Sequence, residues 1–185
     1  MNIKKLVLVS LLFSGILGCG CFNDGSEWNI ESFTVSIFDK NGMQPTDGVI
    51  EGDSIVLEVF FEPEYVEFNA NPLSGLMSSA IATTCEEPGD DGLNITVNSF
   101  LITSNADFNE TPAGESLNEF IIVNGNLSLE EWIEISHRWG YQNYGRSGLT
   151  FIEKPGDSSS HIFILQFVME SGEIIEQKTE EIQWN

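Results

Sequence analysis

Apolar and polar residues alternate in several stretches of the chain, and this alternation is its strongest structural pattern. A period of two residues is typical of a β-strand with one buried face and one face in water. Such stretches occupy residues 33–37, 55–61, 93–97, 161–169 and 174–184. The last two, joined by residues 170–173, predict a β-hairpin, and Thr179, Glu181 and Gln183 are expected on its wet face.

Glycine-containing turns are predicted between the strands. They are Asn41-Gly42, Glu51-Gly52-Asp53 and residues 88–92, which read Pro-Gly-Asp-Asp-Gly. Many short strands separated by such turns predict a mainly β fold. We expect an antiparallel, immunoglobulin-like β-sandwich.

One stretch follows the helical period instead. Ser128 and Glu131 have the spacing of a capping box, in which each side chain bonds to the main chain of the other residue. Leu129, Trp132, Ile133 and Ser136 follow at helical spacing and fall on one, largely apolar face. A short amphipathic helix at residues 128–139 is therefore predicted to pack on or beside the sheets.

Residues 1–18 have the composition of a signal peptide. Two lysines precede an apolar stretch at residues 6–17, which is shorter than the ~20 residues that span a bilayer. The stretch ends in Ile-Leu-Gly-Cys at residues 16–19, which resembles the lipobox of bacterial lipoproteins. The resemblance implies cleavage after Gly18 and a lipid anchor on Cys19. An ordinary secretory signal followed by a chance cysteine is the alternative.

The lipobox also implies a location and a domain plan. Gly20 stands where aspartate is associated with retention at the inner membrane of enterobacteria, so we expect a cell-envelope protein of the outer membrane, with its side undecided. Small and polar residues at 19–28 predict a flexible tether. Residues 29–185 then form one domain.

The chain is strongly acidic, with a net charge of −22. Removal of residues 1–18 takes away two lysines and no acidic residue, which makes the charge −24. Such a charge repels phosphate backbones and anionic lipids. We therefore expect no nucleic-acid partner and no membrane contact except through lipid on Cys19.

Three cysteines occur, and assignment of Cys19 to lipid leaves Cys21 and Cys85. In an oxidising compartment they form a candidate disulfide. On the chain-entropy model this bond would stabilise the fold by ~4 kcal/mol. Two free thiols are the alternative.

A ligand-binding site is predicted around residues 137–146, where aromatic, cationic and glycine residues alternate. Aromatic faces beside arginines can stack sugars or hold carboxylates. The candidate residues are Arg138, Trp139, Tyr141, Tyr144 and Arg146. The alternative is a helix end followed by a loop whose aromatic residues complete the core.

The sequence contains no recognisable catalytic or metal-binding motif. Acidic residues cluster at residues 86–91 and 107–110, but neither cluster has the spacing of a calcium-binding loop. The G-x-S-x-G and H-E-x-x-H motifs are absent from the sequence. We therefore expect no cofactor, no metal and no catalytic residue.

Two features resemble proteins of Bacteroidetes. Asp53-Ser54-Ile55 is similar to the O-glycosylation pattern of their exported proteins and makes Ser54 a candidate glycan acceptor, although the same residues also begin a predicted strand. Residues 82–120 resemble a family of uncharacterised lipoproteins from this group, with the Cys85-Glu86 turn and residues 102–109 as the shared features. The resemblance implies no known activity.

These observations favour a non-catalytic envelope lipoprotein that binds a glycan or a protein partner. A structural or assembly subunit of a surface complex or fibre is the second hypothesis. A hydrolase that uses paired carboxylates is the third.

Overall fold

The computed structural model describes residues 26–66, 88–136, 145–156 and 160–185. Within them lie eleven strands and two helical segments. The strands are β1 (Ser26–Asp39), β2 (Val49–Ile50), β3 (Ile55–Val66), β4 (Pro88–Leu93), β5 (Val97–Ser104), β6 (Ile121–Val123), β7 (Arg146–Phe151), β8 (Ser160–His161), β9 (Phe163–Met169), β10 (Ile174–Lys178) and β11 (Ile182–Trp184). The helical segments are a 3-10 helix (Asn118–Phe120) and α1 (Leu129–Ser136).

The strands form three sheets. Sheet A has the order β4-β1-β3-β7-β6, sheet B the order β2-β11-β8, and sheet C the order β10-β9-β5. Neighbouring strands are antiparallel except for the parallel pairs β1–β4 and β2–β11. The predicted mainly β fold is confirmed, whereas its immunoglobulin-like form stays a prediction.

Sheets A and C pack face to face around Phe167 of β9. The centroid of its ring lies 4.9 Å from that of Phe33, 5.2 Å from that of Phe61 and 4.1 Å from that of Phe100. Phe33 and Phe61 belong to sheet A, whereas Phe100 belongs to sheet C. Alternation along the strands therefore directs these rings into one core between the two sheets, as in a sandwich.

A second aromatic group connects sheet B to this core. Phe151 of β7 lies 4.7 Å from Phe163 of β9 and 5.9 Å from Trp184 of β11, measured between ring centroids. All three residues are fully buried. Strands of the three sheets thus contribute to one hydrophobic core.

Helix α1 begins with the predicted capping box. The Ser128 N–H donates to Glu131 Oε2 over 2.9 Å, and the Glu131 N–H donates to Ser128 Oγ over 3.1 Å. Leu129 and Trp132 are buried in the core. The predicted helix is confirmed over residues 129–136, while residues 137–139 lie outside the described ranges. In the part of the chain that the structure describes, no helix is long and apolar enough to cross a membrane.

The amino-terminal strand begins earlier than the sequence predicted. β1 starts at Ser26, so residues 26–28, placed by sequence at the end of the tether, belong to a strand. The reason is Trp28, which is fully buried and meets the Phe61 ring edge-on at 6.4 Å between centroids. Burial of this large aromatic side chain stabilises pairing of β1 with the end of β3.

The predictions for residues 88–97 were wrong in two respects. Residues 93–97 are not one strand, because β4 ends at Leu93 and β5 begins at Val97 in another sheet. Residues 88–92 are not a turn, because Pro88 and Leu93 pair with Ser26 and Trp28 of β1. Pairing with a distant strand thus overrides the local turn preference of the Pro-Gly-Asp-Asp-Gly sequence.

The carboxyl-terminal hairpin is confirmed as β9 and β10, but its outer limits were wrong. Residues 161–169 divide between β8 and β9, and residues 174–184 divide between β10 and β11. Thr179 lies on the connection and is buried, not wet, because its Oγ1 accepts a 3.0 Å hydrogen bond from the Phe163 N–H. Glu181 and Gln183 are exposed as predicted.

Candidate functional site

The outer face of sheet A carries the described member of the predicted ligand site, Arg146. Strand register places outward residues of β1, β3 and β7 in two adjacent rows. One row is Thr34, Phe60 and Arg146, and the next is Ser36, Glu58 and Gly148. We call these six residues the Arg146 face. Their alternation with the buried residues Val59 and Phe61 explains why they point away from the core.

Arg146 is held in place by two neighbours on β3. Its Nε donates to Glu58 Oε1 over 2.6 Å, and its Nη2 forms an ion pair with the same oxygen. The guanidinium carbon lies 5.0 Å from the centroid of the Phe60 ring, a cation–π distance. The Arg146 side chain is 65% exposed, and that of Glu58 is 16% exposed. The carboxylate therefore orients a guanidinium that faces solvent.

The chemistry of the Arg146 face suits a polar ligand. A guanidinium has five N–H donors, more than the single Glu58 oxygen accepts, so donors remain for a ligand. Thr34 and Ser36 contribute hydroxyl groups that can both donate and accept. Because Glu58 offsets the charge of Arg146, a ligand at this face would be selected by hydrogen-bonding geometry more than by net charge.

Gly148 contributes no side chain to this face, and a small side chain would fit there. A Cβ at this position would lie 3.5 Å from Val56 Cγ1 and 3.9 Å from Asn124 Oδ1, both ordinary contacts. The Gly148 N–H donates to Asn124 Oδ1 over 2.9 Å, and the Asn124 N–H donates to the Gly148 carbonyl over 2.8 Å. The main-chain N–H and the side-chain oxygen of Asn124 thus continue the hydrogen bonding between β6 and β7 by one residue beyond the end of β6.

Most of the predicted site residues lie outside the described residues. This holds for the lipid acceptor Cys19, for Cys21 and Cys85, and for four of the five candidate ligand residues. Those four are Arg138, Trp139, Tyr141 and Tyr144. Of the ligand set, the structure places Arg146 alone. The candidate glycan acceptor Ser54 is half-buried, directly before β3 and on a different segment from Arg146.

A serine and a histidine meet in the core. Ser104 Oγ lies 2.9 Å from His161 Nδ1, and the Ala106 N–H donates to Ser104 Oγ over 3.2 Å. Both residues are buried, and the rings of Phe108 and Phe163 lie against that of His161. A serine nucleophile must be reached by its substrate. Each of these two buried side chains therefore gives the other a hydrogen-bond partner, and the bond connects β5 to β8.

Two polar residues of the cluster at 107–110, Asp107 and Asn109, accept hydrogen bonds that stabilise loops. Asp107 Oδ1 accepts a 2.8 Å hydrogen bond from the Ala113 N–H, and Asn109 Oδ1 accepts one of 2.6 Å from the Gly156 N–H. Among the residues described, no group of three or more His, Cys, Asp or Glu side chains could hold a metal ion. Residues 86–87 lie outside the described ranges.

Two carboxyl groups away from the Arg146 face have altered acidity. The Met43 N–H, together with Asn41, holds the pKa of Asp39 below its usual value. A hydrogen bond from Gln166, helped by Lys178, lowers the pKa of Glu176. Both groups are exposed carboxylates in ordinary surface hydrogen bonds, which is not the pattern of a catalytic acid.

No protein-family model, curated protein or solved structure matches this chain.

Sequence reasoning missed the two residues that hold Arg146. Glu58 lies 88 positions from Arg146 in the chain, and Phe60 precedes the buried residue Phe61 in an apolar run. The available signal was the alternation of β3, which predicts that Glu58 and Phe60 share its outer face. Nothing in the sequence indicated that β7 lies beside β3.

Proposed function

We propose that the chain is a non-catalytic, lipid-anchored protein of the cell envelope whose β-sandwich binds a glycan or a protein partner. The observation that carries the binding proposal is the Arg146 face. It combines an oriented, exposed guanidinium with an aromatic ring and two hydroxyl groups. Planar donors beside an aromatic ring are the usual means of contact with sugar hydroxyls and with polar protein surfaces.

The anchor and the outer-membrane location rest on the sequence. A short apolar segment that ends in a lipobox-like cysteine supports lipid on Cys19, and the net charge of −22 disfavours direct contact with anionic lipid. The tether would then hold the Arg146 face at a distance from the membrane.

The binding proposal is tested by the removal of one charge. Arg146→Gln keeps a polar side chain with hydrogen-bond donors, but it is two atoms shorter and loses the charge and the ion pair with Glu58. We expect this variant to lose retardation in affinity electrophoresis through gels that contain a β-glucan, a mannan or soluble peptidoglycan fragments. Its thermal unfolding midpoint should change little, because the Arg146 side chain is 65% exposed and an ion pair screened by solvent contributes only about 0–1 kcal/mol. Lys154→Gln is the matched control, since Lys154 is an exposed cation outside the face.

A protein partner is tested in parallel with a photo-crosslinking amino acid at Thr34. Specific capture of one envelope protein, lost in Arg146→Gln, would identify that class of partner. The binding proposal is wrong if no glycan retards the chain and no protein is captured, or if Arg146→Gln behaves like the unaltered chain.

The second candidate is a subunit of a surface assembly. It is favoured by one observation, the exposed edge of β10, where Ile174 is 59% exposed. Exposed strand edges are sites at which chains associate.

A further inference from the structure

The hairpin between β9 and β10 fixes which main-chain groups of β10 face outward. The Met169 N–H donates to the Glu173 carbonyl over 2.8 Å, and the Gly172 N–H donates to the Met169 carbonyl over 2.9 Å. Hydrogen-bonded pairs recur at every second residue of an antiparallel ladder. Since Met169 and Glu173 are such a pair, Gln177 bonds to β9 as well. The N–H and C=O groups of three residues therefore point away from β9: Ile174, Glu176 and Lys178.

At the opposite edge of sheet C, alternate residues of β5 also direct their main-chain N–H and C=O groups away from β9. These outward groups have hydrogen-bond partners. The Ile102 N–H donates to Asn118 Oδ1 over 3.0 Å, and Asn118 Nδ2 donates to the Phe100 carbonyl over 2.7 Å. The Leu117 N–H donates to the Ile102 carbonyl over 2.8 Å. The outer edge of β5 is thus closed by the chain itself.

The outward main-chain groups of β10 have no such hydrogen-bonded cover from the described part of the chain, although β1 of sheet A lies close to β10. The main-chain groups of Ile174, Glu176 and Lys178 make no hydrogen bond to any described residue. The side chains of Lys178 and Glu176 are 58% and 38% exposed, and Ile174 is also exposed. The strand contains neither proline nor a bulge, which are common means of blocking an edge.

We propose that β10 pairs antiparallel with β10 of a second copy of this chain, about a two-fold axis through Gln177. This register places Glu176 opposite Lys178 of the second copy, and the symmetry repeats the pair. Both residues direct their main-chain groups outward, so the register forms about four main-chain hydrogen bonds. Sheets C of the two copies become one six-stranded sheet.

Charge complementarity between Glu176 and Lys178 favours this register and favours a second copy of the chain as the partner of β10. Glu176 and Lys178 already form an ion pair within the strand, and the two-fold axis adds two pairs across it. A shift of the axis to Glu176 would place two like charges opposite each other. The net charge of −22 repels a second copy at low ionic strength, but the Debye length of about 8 Å at physiological salt screens most of it. The dimer is therefore weak and salt-dependent.

Cross-linking of the full chain tests the register directly. The axis makes Gln177 and its symmetry mate a non-hydrogen-bonded pair, with Cα atoms about 4.5 Å apart, which a disulfide can bridge. We expect Gln177→Cys to give a disulfide-linked dimer under copper-catalysed air oxidation. Gln183→Cys, an exposed glutamine of β11 in sheet B, is the matched control and should give no more dimer than the native cysteines do.

Exchange of the charges at positions 176 and 178, in the Gln177→Cys variant, tests whether Glu176 and Lys178 pair across the two-fold axis. Lys178→Glu should lower the dimer yield about tenfold, since it places glutamates opposite each other, and the pair Glu176→Lys with Lys178→Glu should restore it. Lys154→Glu makes the same charge change outside sheet C and should leave the yield unchanged. Yields are normalised to the rate of each thiol with a small disulfide reagent, because nearby carboxylates slow thiols.

Two outcomes would overturn the proposal. One is a Gln177→Cys yield equal to that of Gln183→Cys, and the other is a dimer yield that does not follow the charge exchange. The Arg146 face lies on sheet A, so loss of this dimer and loss of ligand binding are separate results.

Discussion

Two buried hydroxyl groups differ in whether they have a hydrogen-bond partner. Ser147 of β7 is 1% exposed, and its Oγ has no hydrogen-bond partner among the residues that the structure describes. Thr179 is 8% exposed, and its Oγ1 accepts from the Phe163 N–H. A buried hydroxyl without a partner costs free energy, whereas a paired one satisfies two groups at once. Removal of the Thr179 hydroxyl should therefore destabilise the fold, whereas removal of the Ser147 hydroxyl should not.

We expect Ser147→Ala to leave the free energy of unfolding unchanged or to raise it by up to about 1 kcal/mol. Thr179→Val, which keeps the shape of the side chain, should lower it by about 1–3 kcal/mol because the Phe163 N–H stays buried without an acceptor. Urea unfolding of both variants gives the comparison. Equal destabilisation by the two substitutions would contradict this account.

At the scale of single elements, the edge of β5 depends on one amide. Asn118, the first residue of the 3-10 helix, supplies an acceptor to the Ile102 N–H and a donor to the Phe100 carbonyl. It therefore replaces a missing neighbouring strand. The side-chain amide of Asn118 makes the two hydrogen bonds that a main-chain amide of a neighbouring strand would make.

Asn118→Ala should leave both main-chain groups of β5 without partners and lower the free energy of unfolding by about 1–3 kcal/mol. Hydrogen exchange at the Ile102 amide should accelerate more than exchange at Leu101, whose main-chain groups face β9. Asn124→Ala is the matched control, because Asn124 bridges β6 and β7 in sheet A by a similar bond. Faster exchange at Ile102 in that control would show a general loss of stability instead.

Elements with their own local pattern were predictable, and those defined by distant partners were not. The capping box of Ser128 and Glu131 and the loop of the β9–β10 hairpin are contained in a few consecutive residues, and both were predicted correctly. Residues 93–97 alternate without a break although the chain leaves sheet A and enters sheet C there. Periodicity reports burial on alternate sides but not which sheet a residue joins.

The candidate site shows the same limit. Arg146 was identified because it lies near aromatic residues in the chain, but the partners that orient it come from β3. Register between β3 and β7 places Phe60 opposite Arg146. A single sequence carries no information on that register.

For the whole molecule, the proposed attachment to a membrane must be compatible with a strongly acidic chain. A net charge of −22 gives no attraction to anionic lipid, so the proposed acyl chains on Cys19 must supply the attachment. Two or three acyl chains bind a bilayer far more firmly than one. Membrane attachment should therefore depend on a single side chain.

Cys19→Ala should abolish incorporation of labelled palmitate and release the protein from the membrane fraction. Cys21→Ala is the control, because its label should persist. Both variants are followed by gel autoradiography of fractionated cells that express the full chain. Palmitate that survives Cys19→Ala would refute the lipid assignment.

The position of β11 between β2 and β8 has a kinetic consequence. Trp184 Nε1 donates to the Gly52 carbonyl, a contact between residues 132 positions apart, and the Asn185 N–H donates to the Ile50 carbonyl. Sheet B can therefore close only after β11 has been synthesised, 132 positions after Gly52. Such non-local pairing raises contact order and slows folding, so closure of sheet B is expected among the last steps. Loop-closure entropy grows only logarithmically with length, so insertions in the intervening loops should delay this step little.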